Sequence, residues 1–105
     1  MSPRGLGFAS LAVLRAIADG HRYGFDIIDR TGLPSGTVYP GLASLERRDL
    51  VTSKWEGAQR AESEGRPRRR YYRVTSAGEA ELEAAAERIR ALNLRASDAP
   101  RTAEG

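Results

Sequence analysis

The sequence predicts a mainly α-helical domain that carries one small β-hairpin and ends in a long helix. Three observations lead there. Between Leu33 and Leu50 the chain reads LPSGTVYPGLASLERRDL, and Val38, Leu42 and Leu45 recur at steps of four and three, which draws one apolar stripe along a helix. The segments Leu50–Glu56 and Arg69–Val74 alternate apolar and polar residues, the period of a half-buried strand. Beyond them Leu82, Ala85, Ile89, Leu92 and Ala96 return at alternating steps of three and four, a coiled-coil-like seam.

Composition limits the class. A chain of 105 residues, 40% hydrophobic and 30% charged, suits one small domain with a modest core. It holds no cysteine, so disulfides and thiolate metal sites are excluded and a reducing compartment is consistent. The longest apolar segment, Leu11 to Ala18, is interrupted by Arg15 and too short to span a bilayer, so the expected location is cytoplasmic, with no membrane partner.

The first helix is expected over Phe8–Ala18, with Leu11, Leu14, Ile17 and Ala18 inward and Asp19-Gly20 as its stop. His21 follows in a short link, where no second ligand or nucleophile accompanies it. The second helix, Tyr23–Thr31, turns Ile27 and Ile28 to the core, and Gly24 allows close approach of a neighbouring backbone. Tyr23 has two readings: a phosphate-facing group at a helix N-terminus, or an aromatic half buried on the first helix. Thr31-Gly32-Leu33-Pro34 is a tight turn, and Ser35 is the expected cap of the third helix. Pro40 places that helix's start shortly before it. Its side opposite the stripe carries Ser35, Thr37, Tyr39, Ser44, Arg47 and Arg48, poor core but suited to phosphates and base edges. Helix, turn and helix with a bare polar side is the helix-turn-helix arrangement.

The two strands need support from the helices, through Val51, Trp55, Tyr72 and Val74, with Trp55 expected as a core residue sealing the hairpin to the third helix. Between the strands, Gly57–Arg68 reads as a polar loop without an apolar anchor. Residues 57–74 hold Arg60, Arg66, Arg68, Arg69, Arg70 and Arg73 against Glu62 and Glu64 only, so the +3 formal charge is concentrated in what reads as a basic wing. Ser76–Glu79 reads as a capping box that opens the last helix. Its two-heptad seam is too short to hold a dimer alone, so it is expected to pack also on the first helix. The division that follows is a winged helix-turn-helix domain over 1–74, a C-terminal dimerisation helix over 75–97 and a disordered tail over 98–105.

These features resemble the PadR family of bacterial transcriptional regulators, in its small form with a single C-terminal helix. Tyr23-Gly24-Phe25 with Ile27, GTVYPGLASLERRDLV from Gly36, Trp55, and RRRYYRVTSAGEAEL from Arg68 carry the resemblance, which spans Leu6 to Leu82. It implies a homodimeric repressor on a palindromic operator, with double-stranded DNA as partner and no cofactor. By position, Tyr23, Ser35, Thr37, Tyr39 and Pro40 would contact DNA with the wing arginines Arg68, Arg69 and Arg70, joined by Ser44 and Arg47 from the bare side of the third helix. Leu11, Leu14, Leu82, Ala85, Ile89, Leu92 and Ala96 would form the dimer contact. A small-molecule effector of unspecified identity would sit between the two C-terminal helix regions, against Trp55 or apolar residues of the first helix. Asp49 stands where the family often has glycine, which implies a looser turn after the third helix. A winged helix that binds protein without reading DNA is the alternative, but it predicts an acidic or apolar bare side. An enzyme would need a nucleophile with its base, a metal cluster or a phosphate-cradling loop, and the sequence offers no such set.

Overall fold

The computed structural model describes residues 6–98, with side chains through Arg95. Seven elements follow in order: α1 (Phe8–Ala18), α2 (Gly24–Thr31), α3 (Ser35–Arg47), β1 (Val51–Trp55), α4 (Ala58–Ser63), β2 (Arg70–Val74) and α5 (Ser76–Asp98). The expected tail lies outside the described residues beyond Asp98. No helix among them is long and apolar enough to cross a membrane.

The core is built on α1, which packs against α2, α3, β2 and α5. Because it is covered on several sides, its buried arc is wider than one stripe: Val13, Leu14, Ala16 and Ile17 are buried, Leu11 is half-buried, and Ala18, expected inward, is exposed at the last turn. Ile27 of α2 and Val38, Leu42 and Leu45 of α3 close on this arc with Leu50, Val51 and Tyr72 from the hairpin. The strands pair antiparallel, Val51 opposite Val74, Ser53 opposite Tyr72 and Trp55 opposite Arg70. A third segment extends this ladder: the Tyr72 N–H donates to the Arg22 carbonyl at 2.8 Å, and Arg22 Nε donates to the Tyr72 carbonyl at 2.9 Å. Arg22 thereby ties the link before α2 to the outer edge of β2.

Helix ends fix how the elements meet. After α1, Gly20 takes φ 105°, and the N–H groups of His21 and Gly20 donate to the carbonyls of Ala16 and Ile17, a Schellman turn. The same pair of bonds ends α3, from Leu50 to Leu45 (2.9 Å) and from Asp49 to Glu46 (3.0 Å), with Asp49 at φ 63°. The turn is therefore as tight as a glycine would make it, contrary to the expectation of a looser one; aspartate is among the few residues that visit this left-handed region. Ser35 is not a cap. Pro34 holds that position in extended backbone, Ser35 is the first helical residue, and its side chain makes no capping bond.

The start of α5 also differs from expectation. The cap is Thr75 rather than Ser76: its hydroxyl accepts from the Gly78 N–H at 3.0 Å and donates to the Asp49 carbonyl at 2.7 Å, while its own N–H donates to the Leu50 carbonyl at 3.0 Å. Gly78 is there because there is no room for anything larger. A Cβ on it would lie 2.2 Å from the Leu50 carbonyl oxygen.

Two substitutions at this junction should act in opposite directions. Asp49→Gly removes left-handed strain and a carboxylate from a helix C-terminus, and is expected to stabilise the domain by about 1 kcal/mol. Gly78→Ala forces backbone apart and should destabilise it by about 1–3 kcal/mol. Denaturant midpoints at constant m-value check both, and equal midpoints for the two variants would contradict the geometry.

Candidate nucleic-acid interface

Two surfaces converge on one side of the domain, the N-terminal ends of α2 and α3 and the returning arm of the wing. Tyr23 stands immediately before α2 in extended backbone and makes no side-chain capping bond. Gly24 follows, and a Cβ there would lie 2.3 Å from the Tyr39 hydroxyl oxygen, so the missing side chain seats the Tyr39 ring of α3 against the first turn of α2. It is a side chain, not the expected backbone, that approaches Gly24. Tyr39 nevertheless stays 46% exposed. Ser35, Pro40 and Arg47 are exposed along α3, whereas Thr37 and Ser44 are half-buried on its flanks.

The wing is not an open loop. Gly57–Arg68, expected to lack structure and apolar anchor, contains α4, and Ala61 on that helix is buried to 2% exposure. Gly65 then takes φ 66° and the chain doubles back. This return brings Arg66 onto Glu56, with Nη1 donating to Oε1 at 2.6 Å and Nη2 to Oε2 at 2.8 Å. The backbone N–H of Arg69 also donates to Glu56 Oε1, at 3.0 Å. The bonds from Arg66, aided by the Arg69 N–H, outweigh burial and hold the Glu56 carboxyl at about 2, well below its usual 4.5.

The arginines that leave this turn each rest on an aromatic ring. The Arg69 guanidinium carbon lies 3.9 Å from the Tyr23 ring centre, and Tyr23 packs edge-on against Tyr71 at 5.7 Å. Tyr23 is half-buried, with the wing's Arg69 on its face and Tyr71 at its edge. Arg68 and Arg70 lie 5.6 and 5.5 Å from the Trp55 ring. Trp55 is not the core residue expected; it is 53% exposed, because β1 runs past the helices before its last residue. Their charges differ in availability. Arg70 is turned back to Glu46, 3.3 Å away, and to Ser53 Oγ, whereas Arg68 and Arg69 have no carboxylate partner among the described residues. Glu46, Glu56 and Arg22 thus shape the surface, although nothing in the local sequence pattern marked them.

Of the expected dimer residues, Ile89 and Leu92 stand exposed on α5, and so does Leu94. Leu14 and Ala85 are corrections. Both are buried within the subunit, fully for Leu14 and to 7% exposure for Ala85, so neither has surface to offer a second chain. Leu11 and Leu82 are half-buried against the same core. The Ala96 side chain lies outside the described residues. Trp55 borders a cleft of about 420 Å³ with Tyr23, Phe25, Tyr39 and the wing arginines, which no residue of the same chain's α1 or α5 lines.

A buried three-helix core, a hairpin stitched to it, and a cationic wing beside an exposed helix define a winged helix-turn-helix. The chain belongs to the PadR-like family of transcriptional regulators, whose model matches residues 13–84. It is similar to a PadR family regulator of Clostridium difficile (25% identity over 83% of this chain and 92% of the other, TM-score 0.72). A PadR-like transcription factor of Bacteroides fragilis is 26% identical, covering 84% of this chain and 85% of the other at a TM-score of 0.70. The fold alone is shared with BpsR of Bordetella bronchiseptica (20% identity, 99% and 74% coverage, TM-score 0.71), whose DNA binding is regulated by 6-hydroxynicotinic acid. Comparison with curated protein sequences gave no match. The chain is a transcriptional regulator, not an enzyme, and DNA is the partner its family binds.

The Glu56 clamp has a pH signature. Since its folded value lies below its ordinary one, its stabilisation is complete above about pH 4.5 and is lost as pH falls towards 2. A carbon-13 titration of the Glu56 carboxyl should give a midpoint near 2, and a midpoint near 4.5 would mean that the clamp is open in solution.

Proposed function

We propose that the protein is a homodimeric repressor that binds a palindromic operator, with α3 entering the major groove and the wing lying on the backbone. The observation that carries this reading is the pair of guanidiniums without carboxylate partners, Arg68 and Arg69, mounted on aromatic rings beside the exposed side of α3. Cations held on rings keep their charge while losing freedom, which suits phosphate contact. Tyr23, Ser35, Tyr39 and Pro40 surround the N-terminal ends of α2 and α3, where backbone amides also favour phosphate. Thr37, in the first turn of α3, and Ser44, further along it, have short side chains that would reach base edges only if the helix is pressed into the groove, with Arg47 beyond them. Arg70 acts in this scheme as a brace between the wing and Glu46. Ile89 and Leu92 of α5 would meet a second copy, and two-fold symmetry would place two half-sites about one helical turn or a multiple apart. An effector between the two α5 regions, lined by apolar residues of α1, completes the proposal. BpsR shows that one relative in fold answers to a small molecule. A cytoplasmic location follows from a role on DNA.

Two measurements test the division of labour. Log affinity should fall with log salt by roughly 0.9 per phosphate neutralised, and Arg68→Ala with Arg69→Ala should weaken specific and random DNA alike and flatten that slope. Thr37→Ala should instead spare random DNA and relax preference at one base pair per half-site by about 1–3 kcal/mol. A flat salt dependence in the unaltered protein would favour the protein-binding alternative. For assembly, Ile89→Asp with Leu92→Asp is expected to give a monomer by sedimentation; an intact dimer would remove α5 from the interface.

A further inference from the structure

Glu56 is an acidic residue at the centre of the most basic part of the chain, and the DNA-contact scheme above gives it no task. Every polar group it owns is engaged, and always by the returning arm. Its N–H donates to the Arg69 carbonyl at 2.8 Å, and its carbonyl accepts from Arg68 Nε at 2.9 Å. Its carboxylate takes both Arg66 Nη atoms and the Arg69 N–H. The side chain is only 7% exposed, so DNA cannot touch it directly. The residues it gathers, Arg66 to Arg69, precede β2 and so fall outside the strand itself. A short arm rich in glycine, proline and like charges would otherwise splay, because three adjacent arginines repel.

From this we infer that Glu56 is a positioning residue for DNA binding: it folds the arm back so that Arg68 lies on Trp55 and Arg69 on Tyr23, both turned to the face shared with α3. The geometry closes a ring. β1 delivers Glu56, the buried Ala61 seats α4, Gly65 reverses the chain, and Arg66 returns to Glu56. Arg66 spends its charge inside this ring, on Glu56 and on Glu64, rather than on a partner. The wing therefore presents Arg68 and Arg69 from a preset frame, which lowers the ordering cost of binding.

The inference rests on the DNA-binding reading, and its test separates the two by sign. Removing a carboxylate from a cationic surface should tighten DNA binding if only net charge matters. If Glu56 positions the arm, the same removal should weaken it. The full-length protein is titrated onto a fluorescent duplex of random sequence at fixed salt, alongside Glu56→Gln and Glu62→Gln, the latter making the same charge change at an exposed position on α4. Glu62→Gln should bind as tightly as the unaltered protein or more so, and Glu56→Gln should bind roughly fivefold or more weakly, while still cooperatively folded at the assay temperature and with faster exchange of the Arg69 amide. Equal or tighter binding by Glu56→Gln would overturn the inference and leave the DNA-binding reading intact. No binding by the unaltered protein would overturn both. Should Glu56→Gln fail to fold, Glu56→Asp keeps the charge but is one methylene short of spanning Arg66 and the Arg69 N–H. It too should bind roughly fivefold more weakly, and unaltered affinity in that variant would overturn the inference.

Discussion

The hydroxyl and amide of Thr75 hold together the parts of this domain that a DNA reader must keep in register. Through them the end of β2 bonds to Asp49 and Leu50 at the exit of α3, and the same hydroxyl caps α5 at Gly78. Four elements meet there within a few residues: α3 stops, β1 starts, β2 stops and α5 starts. The left-handed backbone of Asp49 and the bare Cα of Gly78 are both consequences of that crowding. With the junction intact, the angle between α3 and the hairpin is set on one side and the direction of α5 on the other. A loosened junction would leave every helix able to form while scattering the surfaces they carry.

On the opposite end of the hairpin, order comes from charge rather than from burial. The wing buries one small side chain, Ala61, too little to fold on hydrophobic grounds. A carboxylate between guanidinium groups, a glycine turn and three cation–ring contacts supply the rest. The distribution of arginines is therefore not a uniform basic patch. Arg66 and Arg70 are paired with Glu56 and Glu46, whereas Arg68 and Arg69 have no carboxylate partner among the described residues. Aromatic residues make this selection possible, since a ring face accepts a guanidinium without cancelling its charge.

What the sequence made legible follows from range. Periodicity is a local signal, so the limits of α1, the stripe Val38–Leu42–Leu45 and the facing of Tyr72 and Val74 could be read from spacing alone. The stop at Gly20 is equally local. Where stabilisation spans the chain, spacing is silent. Six residues of α4 are too few to display a helical period, and their clamp joins positions ten apart. Trp55 was read inward from its residue type and strand phase, but phase does not say where the covering helices stop. Leu14 and Ala85 fell on apolar stripes that a sequence cannot divide between a subunit's own core and a partner. In the candidate site, residue types and faces were legible on α3, and the tethers that aim the wing, Arg22, Glu46 and Glu56, were not.

A repressor of the proposed kind must read sequence through this surface as a two-fold pair. Selection of bound sites from random DNA by the full-length protein tests that directly, because it returns operator, symmetry and stoichiometry together. The expected result is an inverted repeat whose half-sites are centred about one helical turn or a multiple apart, the spacing that a dimer presenting two α3 helices imposes. Enrichment of a single unrepeated site, or of no sequence at all, would contradict it.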